Sequence, residues 1–203
     1  MRVLLMAALT VSAFAQPKIE NAKLDTRAVN GSLEARFRTL VSSSVDPAWI
    51  GYSVPQVPGE RSMCGTVSLE GAREFVMLYR VAAAQVEKIR TYATDCTFDA
   101  GDLPLHWLTG VGGSQSALLL SSFVLPETNR PDTNSKNGKG GAWQLASSAL
   151  SAIARHQDGA PALIDLARRP QISPQIKQEA VRWLGRSKDP RALKFFAEIL
   201  AVR

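Results

Sequence analysis

The side chains best suited to chemistry lie close together in the segment 95–106. Asp95, Asp99 and Asp102 follow one another at intervals of four and three residues, and His106 comes four residues after Asp102. Clustered carboxylate oxygens are the ligands that a hard cation such as Ca²⁺ prefers. The spacing differs from the D-x-[DN]-x-[DN]-G loop of an EF-hand, and no Glu closes it. A solvated turn capped by Asp is therefore the stronger expectation, and no metal ligand is assigned.

The same segment suggests acid–base chemistry, because a carboxylate and an imidazole can exchange protons with a substrate. Catalysis would also need a nucleophile and a pocket in which the groups converge. The sequence contains no G-x-S-x-G, H-E-x-x-H or C-x-x-C motif. A lyase or hydrolase with a site near Asp99, Asp102 and His106 is therefore the alternative function only. His106 is expected to be packed and hydrogen-bonded, and no catalytic residue is assigned.

The N-terminal segment 1–15 has the composition of a secretory signal peptide. Arg2 precedes an apolar run at 3–12, and an A-x-A cleavage site occupies 13–15. The apolar run is too short to remain as a membrane span. We therefore expect cleavage near Ala15 and a periplasmic or secreted mature chain.

Cys64 and Cys96, the two cysteines of the chain, have two interpretations, and the expected export favours the first of them. In an oxidising compartment, a lone pair of cysteines is expected to form a structural disulfide. A bridge between residues 32 positions apart would stabilise the fold by about 3–4 kcal/mol. The other interpretation is a catalytic thiol, for which His106 is the one nearby base in the sequence.

The chain is mildly basic, with 24 Lys and Arg against 18 Asp and Glu and a formal charge of +6. The basic residues are scattered, and Arg168-Arg169 is their only adjacent pair. Proteins that bind nucleic acids concentrate their basic residues on one surface, often interleaved with aromatic side chains. The scattered charge therefore argues against nucleic acid as a partner.

The segment 16–125 is predicted to form a small α+β domain. A β-rich run at 75–81 is followed by alternating apolar and polar residues at 86–93, which predicts an antiparallel hairpin. With a short strand at 66–69, the hairpin should belong to an antiparallel sheet of three to five strands. Apolar residues at helical spacing predict a helix over 32–42.

The segment 48–64 has two interpretations. Trp49 and Tyr52, together with two prolines, would give an exposed aromatic and proline surface for a ligand. Alternatively, Pro55 and Pro58 indicate an edge strand followed by a loop, because proline cannot donate to a central β-ladder. We favour the edge strand.

The C-terminal part of the chain is predicted to be helical, because its apolar residues recur at intervals of three and four. Turn and capping residues separate the helices. Asp158 and Asp189 are expected to cap the second helix of each pair through their side chains. His156 is interpreted as an end residue favoured by a helix dipole. The predicted helices cover 142–155, 160–168, 174–186 and 191–202, and an earlier helix covers 114–124.

A linker is predicted between the two parts of the chain. Residues 126–141 are rich in Pro, Asn, Gly and charge and almost devoid of apolar side chains, a composition typical of flexible connections. The expected organisation is therefore a signal peptide at 1–15, an α+β domain with one disulfide at 16–125, the linker, and a helical domain at 142–203.

The two C-terminal helix pairs repeat. Residues 149–158 align with 180–189 at an offset of about 31 positions, within the range of solenoid units. The stretch EAVRWLGRSKDPRALKFFAEIL at 179–200 resembles a HEAT or HEAT-like repeat, including the type named after phycobilisome lyases. The resemblance implies an α-solenoid, commonly a protein-binding scaffold. It does not by itself carry lyase activity to this chain.

The sequence therefore predicts an α+β protein: a small antiparallel β domain with a helix, followed by a C-terminal α-solenoid of about two HEAT-like helical hairpins. The expected function is an exported, non-catalytic protein–protein interaction or scaffold module. A purely structural repeat protein without a single partner is a further possibility. No cofactor is expected, and the protein partner is not identified. The candidate partner-binding residues lie off the apolar stripes: Arg155, Arg182, Arg186 and Arg191.

Overall fold

The computed structural model describes residues 17–57, 64, 73–125 and 141–201. Within these residues it contains seven β-strands and six α-helices. The predicted signal peptide, the predicted strand at 66–69 and most of the predicted linker lie outside the described residues. The elements are β1 (Lys18–Glu20), β2 (Lys23–Ala28), α1 (Leu33–Ser43), β3 (Ala48–Pro55), β4 (Glu74–Ala82), β5 (Gln85–Ala93), β6 (Thr97–Asp99), β7 (Pro104–Thr109), α2 (Gly113–Val124), α3 (Gly141–Arg155), α4 (Gly159–Arg168), α5 (Pro174–Arg186) and α6 (Pro190–Ala201).

The five longer strands form one mixed sheet in the order β2-β7-β3-β4-β5. Strand β7 runs parallel to both β2 and β3, whereas β3-β4 and β4-β5 are antiparallel. The α+β class and the β4-β5 hairpin are confirmed, but the expectation of an antiparallel sheet is wrong for two of its four strand pairs. The reason is helix α1, which returns the chain so that β2 and β3 point the same way, with β7 between them.

Strand β3 is a central strand and not the predicted edge strand. It lies between β7 and β4, and the side chains of Tyr52 and Val54 are fully buried. Pro55 is tolerated because it is the last residue of the strand, where proline interrupts no further ladder bonds. The buried ring of Tyr52 also excludes it from the exposed aromatic surface considered for this segment.

Gly51, in the middle of β3, allows its neighbours to approach the backbone closely. A Cβ atom at this position would lie 2.8 Å from Leu78 Cδ2 and 2.9 Å from Trp107 Cζ3. Real Cβ atoms do not make contacts this short, because protein interiors are already close-packed. The indole of Trp107 and the side chain of Leu78 therefore occupy the space that any other residue would need.

The β4-β5 hairpin closes through two alanines. Ala83 and Ala84 both have left-handed backbone conformations, with φ of 47° and 55°. Two consecutive left-handed residues suit the twist of a two-residue hairpin, which usually selects Asn-Gly. The N–H groups of Ala83 and Ala84 donate to the carbonyl oxygens of Val45 and Ser44 at 3.0 and 2.8 Å. The loop after α1 thus holds a turn that alanine does not favour by itself.

The sheet has one face covered by helices and one outer face, since alternate residues of a strand point to opposite sides. On the helix-covered face, a continuous apolar cluster extends from α1 and the sheet through α2 and α3 to α6. On the outer face, a smaller cluster lies between the sheet and the parallel pair β1-β6. Helix α3 contacts both α2 and β5. The sheet and the C-terminal helices therefore share a core.

Two backbone hydrogen bonds also join the sheet to the end of α3. The N–H of Val57 donates to the carbonyl oxygen of Arg155 at 2.9 Å, and the N–H of Gln157 donates to that of Pro55 at 3.2 Å. The chain just beyond β3 therefore pairs with the residues that end and follow α3.

The four C-terminal helices agree with the prediction to within one residue at each end. Helix α3 contacts α4 and α5, and α4 contacts α5 and α6. As predicted, Asp189 caps α6, because its Oδ1 accepts from the N–H of Arg191 at 2.8 Å. The same prediction is wrong for Asp158, which makes no side-chain cap bond. Its carboxylate instead accepts from the hydroxyl of Ser114, at 3.4 Å, on the neighbouring helix α2.

The predicted disulfide between Cys64 and Cys96 is present, with a Cα–Cα distance of 5.2 Å that lies within the ordinary range for such bridges. It fixes Cys64 to the turn that precedes β6. In the described parts of the chain, no helix combines the length and the apolar character needed to cross a bilayer.

Candidate functional site

The structure pairs His106 with a carboxylate that the sequence spacing did not indicate. Asp25 on β2 lies opposite His106 on β7, and Asp25 Oδ2 is 3.0 Å from His106 Nδ1. The hydrogen bond with His106, and the nearby charge of Arg27, lower the pKa of Asp25. A carboxylate accepts, so the Nδ1 atom of His106 carries the hydrogen. His106 is therefore packed and hydrogen-bonded, as expected.

Asp99 and Asp102 are not joined to His106. The Oδ1 atom of Asp99 accepts from the N–H of Gly101 at 2.8 Å, and this bond lowers the pKa of Asp99. Asp102 has a left-handed φ of 61°, and its N–H donates to the carbonyl oxygen of Asn21 at 2.8 Å. Within the described ranges, no hydrogen bond or ion pair links either carboxylate to His106, and no three His, Cys, Asp or Glu side chains are arranged to hold a metal.

Four buried polar side chains form a continuous chain of hydrogen bonds between the sheet and the helices. The hydroxyl oxygen of Ser116 lies 2.7 Å from His156 Nε2 and 2.8 Å from the hydroxyl of Tyr52. The Tyr52 hydroxyl lies 2.6 Å from that of Tyr79. All four side chains are fully buried. We refer to these residues as the tyrosine–histidine chain.

The hydrogen bonds of the tyrosine–histidine chain have one direction. The Nδ1 atom of His156 lies 2.8 Å from the carbonyl oxygen of Ala152, which can only accept, so Nδ1 carries the hydrogen. The Nε2 atom then accepts from Ser116, Ser116 accepts from Tyr52, and Tyr52 accepts from Tyr79. Burial lowers the pKa of His156 to about 4 and raises that of Tyr52 to about 12. The ring of His156 is therefore neutral at pH 7.

His156 is thus not the end residue favoured by a helix dipole that the sequence suggested. It directly follows α3, but its ring points inward and meets the ring of Phe75 edge-on, with centroids 4.9 Å apart. The Ser116–His156 contact resembles a nucleophile and its base, yet a substrate cannot reach two fully buried side chains. The contact positions α2 and α3 on the sheet. One feature of the sequence could have pointed to this contact, because Ser116 is a polar residue among the apolar residues of the predicted helix 114–124.

Two of the four arginines predicted to bind a partner are held by internal contacts. The guanidinium of Arg155 lies 5.1 Å from the centre of the Phe75 ring and donates to Thr91 Oγ1 at 3.2 Å. Both neighbours belong to the sheet, so Arg155 attaches α3 to the sheet. Arg191 pairs with Asp189 at 2.6 Å, which raises the pKa of Arg191 and lowers that of Asp189.

The other two arginines lie on the exposed side of α5. Arg182 pairs with Glu179 one turn earlier, at 2.9 Å. The guanidinium of Arg186 lies 5.4 Å from the centre of the Trp183 ring. Both side chains are therefore oriented by neighbours on their own helix while remaining accessible to another molecule.

Helix α6 exposes an apolar stripe. Leu193 and Leu200 are 71% and 75% exposed, and Ile199 is 51% exposed. Half-buried Phe196 lies between the two leucines, because residues three, four and seven positions apart share a side of a helix. We call Leu193, Phe196 and Leu200 the α6 stripe. The sequence analysis sought partner-binding residues off the apolar stripes. Among the described elements α6 packs mainly against α4, which leaves this stripe exposed.

Comparison of the chain with protein-family models, with curated proteins and with solved structures finds no match. The arrangement of its own residues is therefore the basis for any statement about function. Within the part of the chain that the structure describes, that arrangement offers an exposed apolar face on α6, oriented arginines on α5, and buried polar groups that no substrate reaches.

Proposed function

We propose that this chain is an exported, non-catalytic protein-binding module whose C-terminal helices form a short HEAT-like solenoid. The observation that carries the proposal is the α6 stripe, in which Leu193 and Leu200 are largely exposed. Isolated exposed leucines are common on soluble proteins, but aligned apolar side chains with a polar rim are typical of interaction sites. The stripe is aligned along one helix, and its Phe196 lies close to Gly185, the neighbour of Arg186.

The contacts between helices support the solenoid. Helix α3 contacts α5, and α4 contacts α6, so equivalent helices of the two repeated pairs are neighbours. Side-by-side contact of equivalent helices is how stacked hairpins bury a continuous core. The stripe lies on the part of α6 that these contacts leave exposed, and it is the surface on which we expect the partner to lie.

The size of the stripe indicates an anchor and not a whole interface. Covering Leu193 and Leu200 fully would contribute about 3–6 kcal/mol, which association entropy offsets in part. A specific interface usually involves about 800 Å² on each side, so neighbouring polar residues must take part. Arg186 is one of them, because a Cβ atom on adjacent Gly185 would lie 3.9 Å from Phe196 Cζ. A partner with an apolar centre and acidic rim fits this surface.

Export is supported by the covalent chemistry of the chain. The Cys64–Cys96 bridge belongs to an oxidising compartment, and the N-terminal sequence has the signature of a signal peptide. The partner is therefore expected outside the cytoplasm.

The test is crosslinking in envelope extract, followed by capture of the tagged chain and mass spectrometry. The double variant Leu193→Ser/Leu200→Ser should retain at least tenfold less of the crosslinked partner than the wild type. Leu118→Ser on α2 is the matched control, because Leu118 is also 71% exposed. Equal capture by both variants and the wild type would exclude the stripe. Arg182→Glu/Arg186→Glu should also weaken capture without affecting folding, and unchanged capture would remove these arginines from the surface.

No specific observation favours the alternative of a lyase or hydrolase near Asp99, Asp102 and His106. The imidazole of His106 is engaged by Asp25. The carboxylate of Asp99 is engaged by the backbone of its own turn.

A further inference from the structure

A cavity of about 260 Å³ lies on the outer face of the sheet, opposite the helices. It lies between the sheet and β6, next to the Cys64–Cys96 bridge, and is partly open to solvent. Pockets for drug-sized ligands usually measure about 300–1,000 Å³. The cavity is therefore suited to a small ligand.

Three aromatic side chains from three different strands line this cavity: Trp49 of β3, Tyr92 of β5 and Phe98 of β6. The rings of Tyr92 and Phe98 meet at 60° with centroids 5.3 Å apart, which makes two adjoining walls. Aromatic faces carry partial negative charge and attract cations. Trp49 already takes part in such a contact, since the guanidinium of Arg80 lies 5.8 Å from the centre of its ring.

The charge of the lining has the same sign as the aromatic faces. Among the described residues that line the cavity, Asp99 is the one with a charged side chain. The N–H of Gly101 and the side chain of Asn21 hold the pKa of Asp99 below its usual value, so the carboxylate is ionised at neutral pH. The remaining described lining is mostly apolar. The cavity thus combines apolar walls, aromatic faces and one negative charge.

We propose that this cavity binds a small organic cation with an apolar surface, such as an alkylated ammonium group. Three aromatic rings would contact the alkyl groups, and the Asp99 carboxylate would lie near the positive charge. Aromatic faces recognise such cations because the charge is spread over alkyl groups that donate no strong hydrogen bonds and are weakly hydrated. A neutral molecule of the same shape would fill the same space without the electrostatic attraction.

The experiment compares choline with 3,3-dimethylbutan-1-ol, in which a carbon atom replaces the charged nitrogen. Binding to the full chain would be followed by tryptophan fluorescence and by the indole and backbone N–H signals in NMR spectra. Choline should bind at least tenfold more tightly than the alcohol, with shifts at Trp49, Tyr92 and Phe98. Equal affinity for the two molecules, or no binding of choline, would overturn the proposal.

Variants locate the site. Asp99→Asn should weaken choline binding about tenfold and leave the alcohol unaffected, because asparagine keeps the oxygen that accepts from Gly101. Asp46→Asn, which removes an exposed carboxylate before β3, is the matched control and should not change binding. Tyr92→Leu keeps an apolar wall and should weaken choline binding more than alcohol binding. Unchanged choline affinity in both Asp99→Asn and Tyr92→Leu would place the cation elsewhere and refute the assignment.

Discussion

The imidazole of His156 and the hydroxyl of Ser116 lie 2.7 Å apart where α2, α3 and the sheet meet, and neither side chain is exposed. Since Nδ1 of His156 donates to Ala152, the other ring nitrogen must accept, and Ser116 supplies the hydrogen. A proton on Nε2 would occupy the place where Ser116 donates and would reverse each hydroxyl as far as Tyr79. The direction of the tyrosine–histidine chain from Tyr79 to His156 therefore requires a neutral ring.

The stability of the protein should fall as the pH is lowered from about 6.5 to about 4. Burial lowers the pKa of folded His156 to about 4, against 6.5 for a free imidazole, so in this range the unfolded chain takes up a proton that the folded chain does not. The neighbouring charges of Asp158 and Arg155 act in opposite directions. Each pKa unit corresponds to about 1.4 kcal/mol, so the loss amounts to about 3 kcal/mol. Urea unfolding followed by circular dichroism at pH 7.5, 5.5 and 4.5 measures it.

The control for this pH dependence is His156→Gln. This variant should be less stable at pH 7.5 but should show a flatter profile between pH 6.5 and 4.5. Glu74, whose pKa is raised by burial, acts in the opposite direction and is common to both proteins, so it cancels in the comparison. A wild-type profile no steeper than that of the variant would contradict the assignment to His156.

Ser116→Ala should destabilise the fold by about 2–4 kcal/mol. The substitution leaves the Nε2 acceptor of His156 and the hydroxyl of Tyr52 buried without their shared partner, and each unsatisfied group costs about 1–3 kcal/mol. Ser121→Ala on the same helix is the control, because the Ser121 hydroxyl donates only to the carbonyl oxygen of Ala117. It should change the free energy of unfolding by less than about 0.5 kcal/mol. Similar losses in both variants would argue against a special role for the buried chain.

Gly51→Ala should destabilise the protein by about 1–3 kcal/mol through overpacking. The new methyl group would lie within 3 Å of Leu78 and Trp107, and the indole would have to move. Trp107 emission should therefore change together with the denaturation midpoint. Gly141→Ala, at a position with open space around it, should be neutral or slightly stabilising. A fully stable Gly51→Ala protein would mean that the outer face of the sheet is loosely packed.

Replacing Ala83-Ala84 by Asn-Gly should stabilise the hairpin by about 1–2 kcal/mol. Both positions have positive φ, which costs an ordinary L-residue about 1 kcal/mol or more and costs glycine almost nothing. Ala83→Val should act in the opposite direction, since a β-branched residue is least suited to this conformation. Thermal melts of the three proteins should rank Asn-Gly above wild type above Ala83→Val. The reverse order would show that the turn is not left-handed in solution.

Helix positions could be read from the sequence because periodicity and capping are local properties. The pattern of apolar residues in α5, with Pro174 at its start, gave both ends of that helix. The order of the strands could not be read in this way, because no local feature of the sequence indicates that β7 pairs with both β2 and β3. Pro55 suggested an edge strand. Because Pro55 is the last residue of β3, however, its missing N–H does not prevent β3 from being a central strand.

The same distinction between local and long-range features applies to the candidate sites. The Cys64–Cys96 bridge followed from composition and compartment and is present. The partner of His106 was sought among the nearby residues Asp99 and Asp102, yet it is Asp25, 81 positions away in the chain. Contacts at such separations depend on strand register, which one sequence does not reveal. The exposure of the α6 stripe likewise depends on which helices surround α6, not on its own composition.

The hydrogen bonds between the chain beyond β3 and the end of α3 make the two halves of the protein mutually dependent. A fragment ending at residue 125 would retain the seven described strands but would leave the carbonyl of Pro55, the N–H of Val57 and a large apolar area facing water. Such a fragment should self-associate when expressed alone, and the intact chain should melt in a single calorimetric transition. The C-terminal helices therefore depend on the sheet for their packing, and transferring them to another scaffold would require transferring the sheet as well.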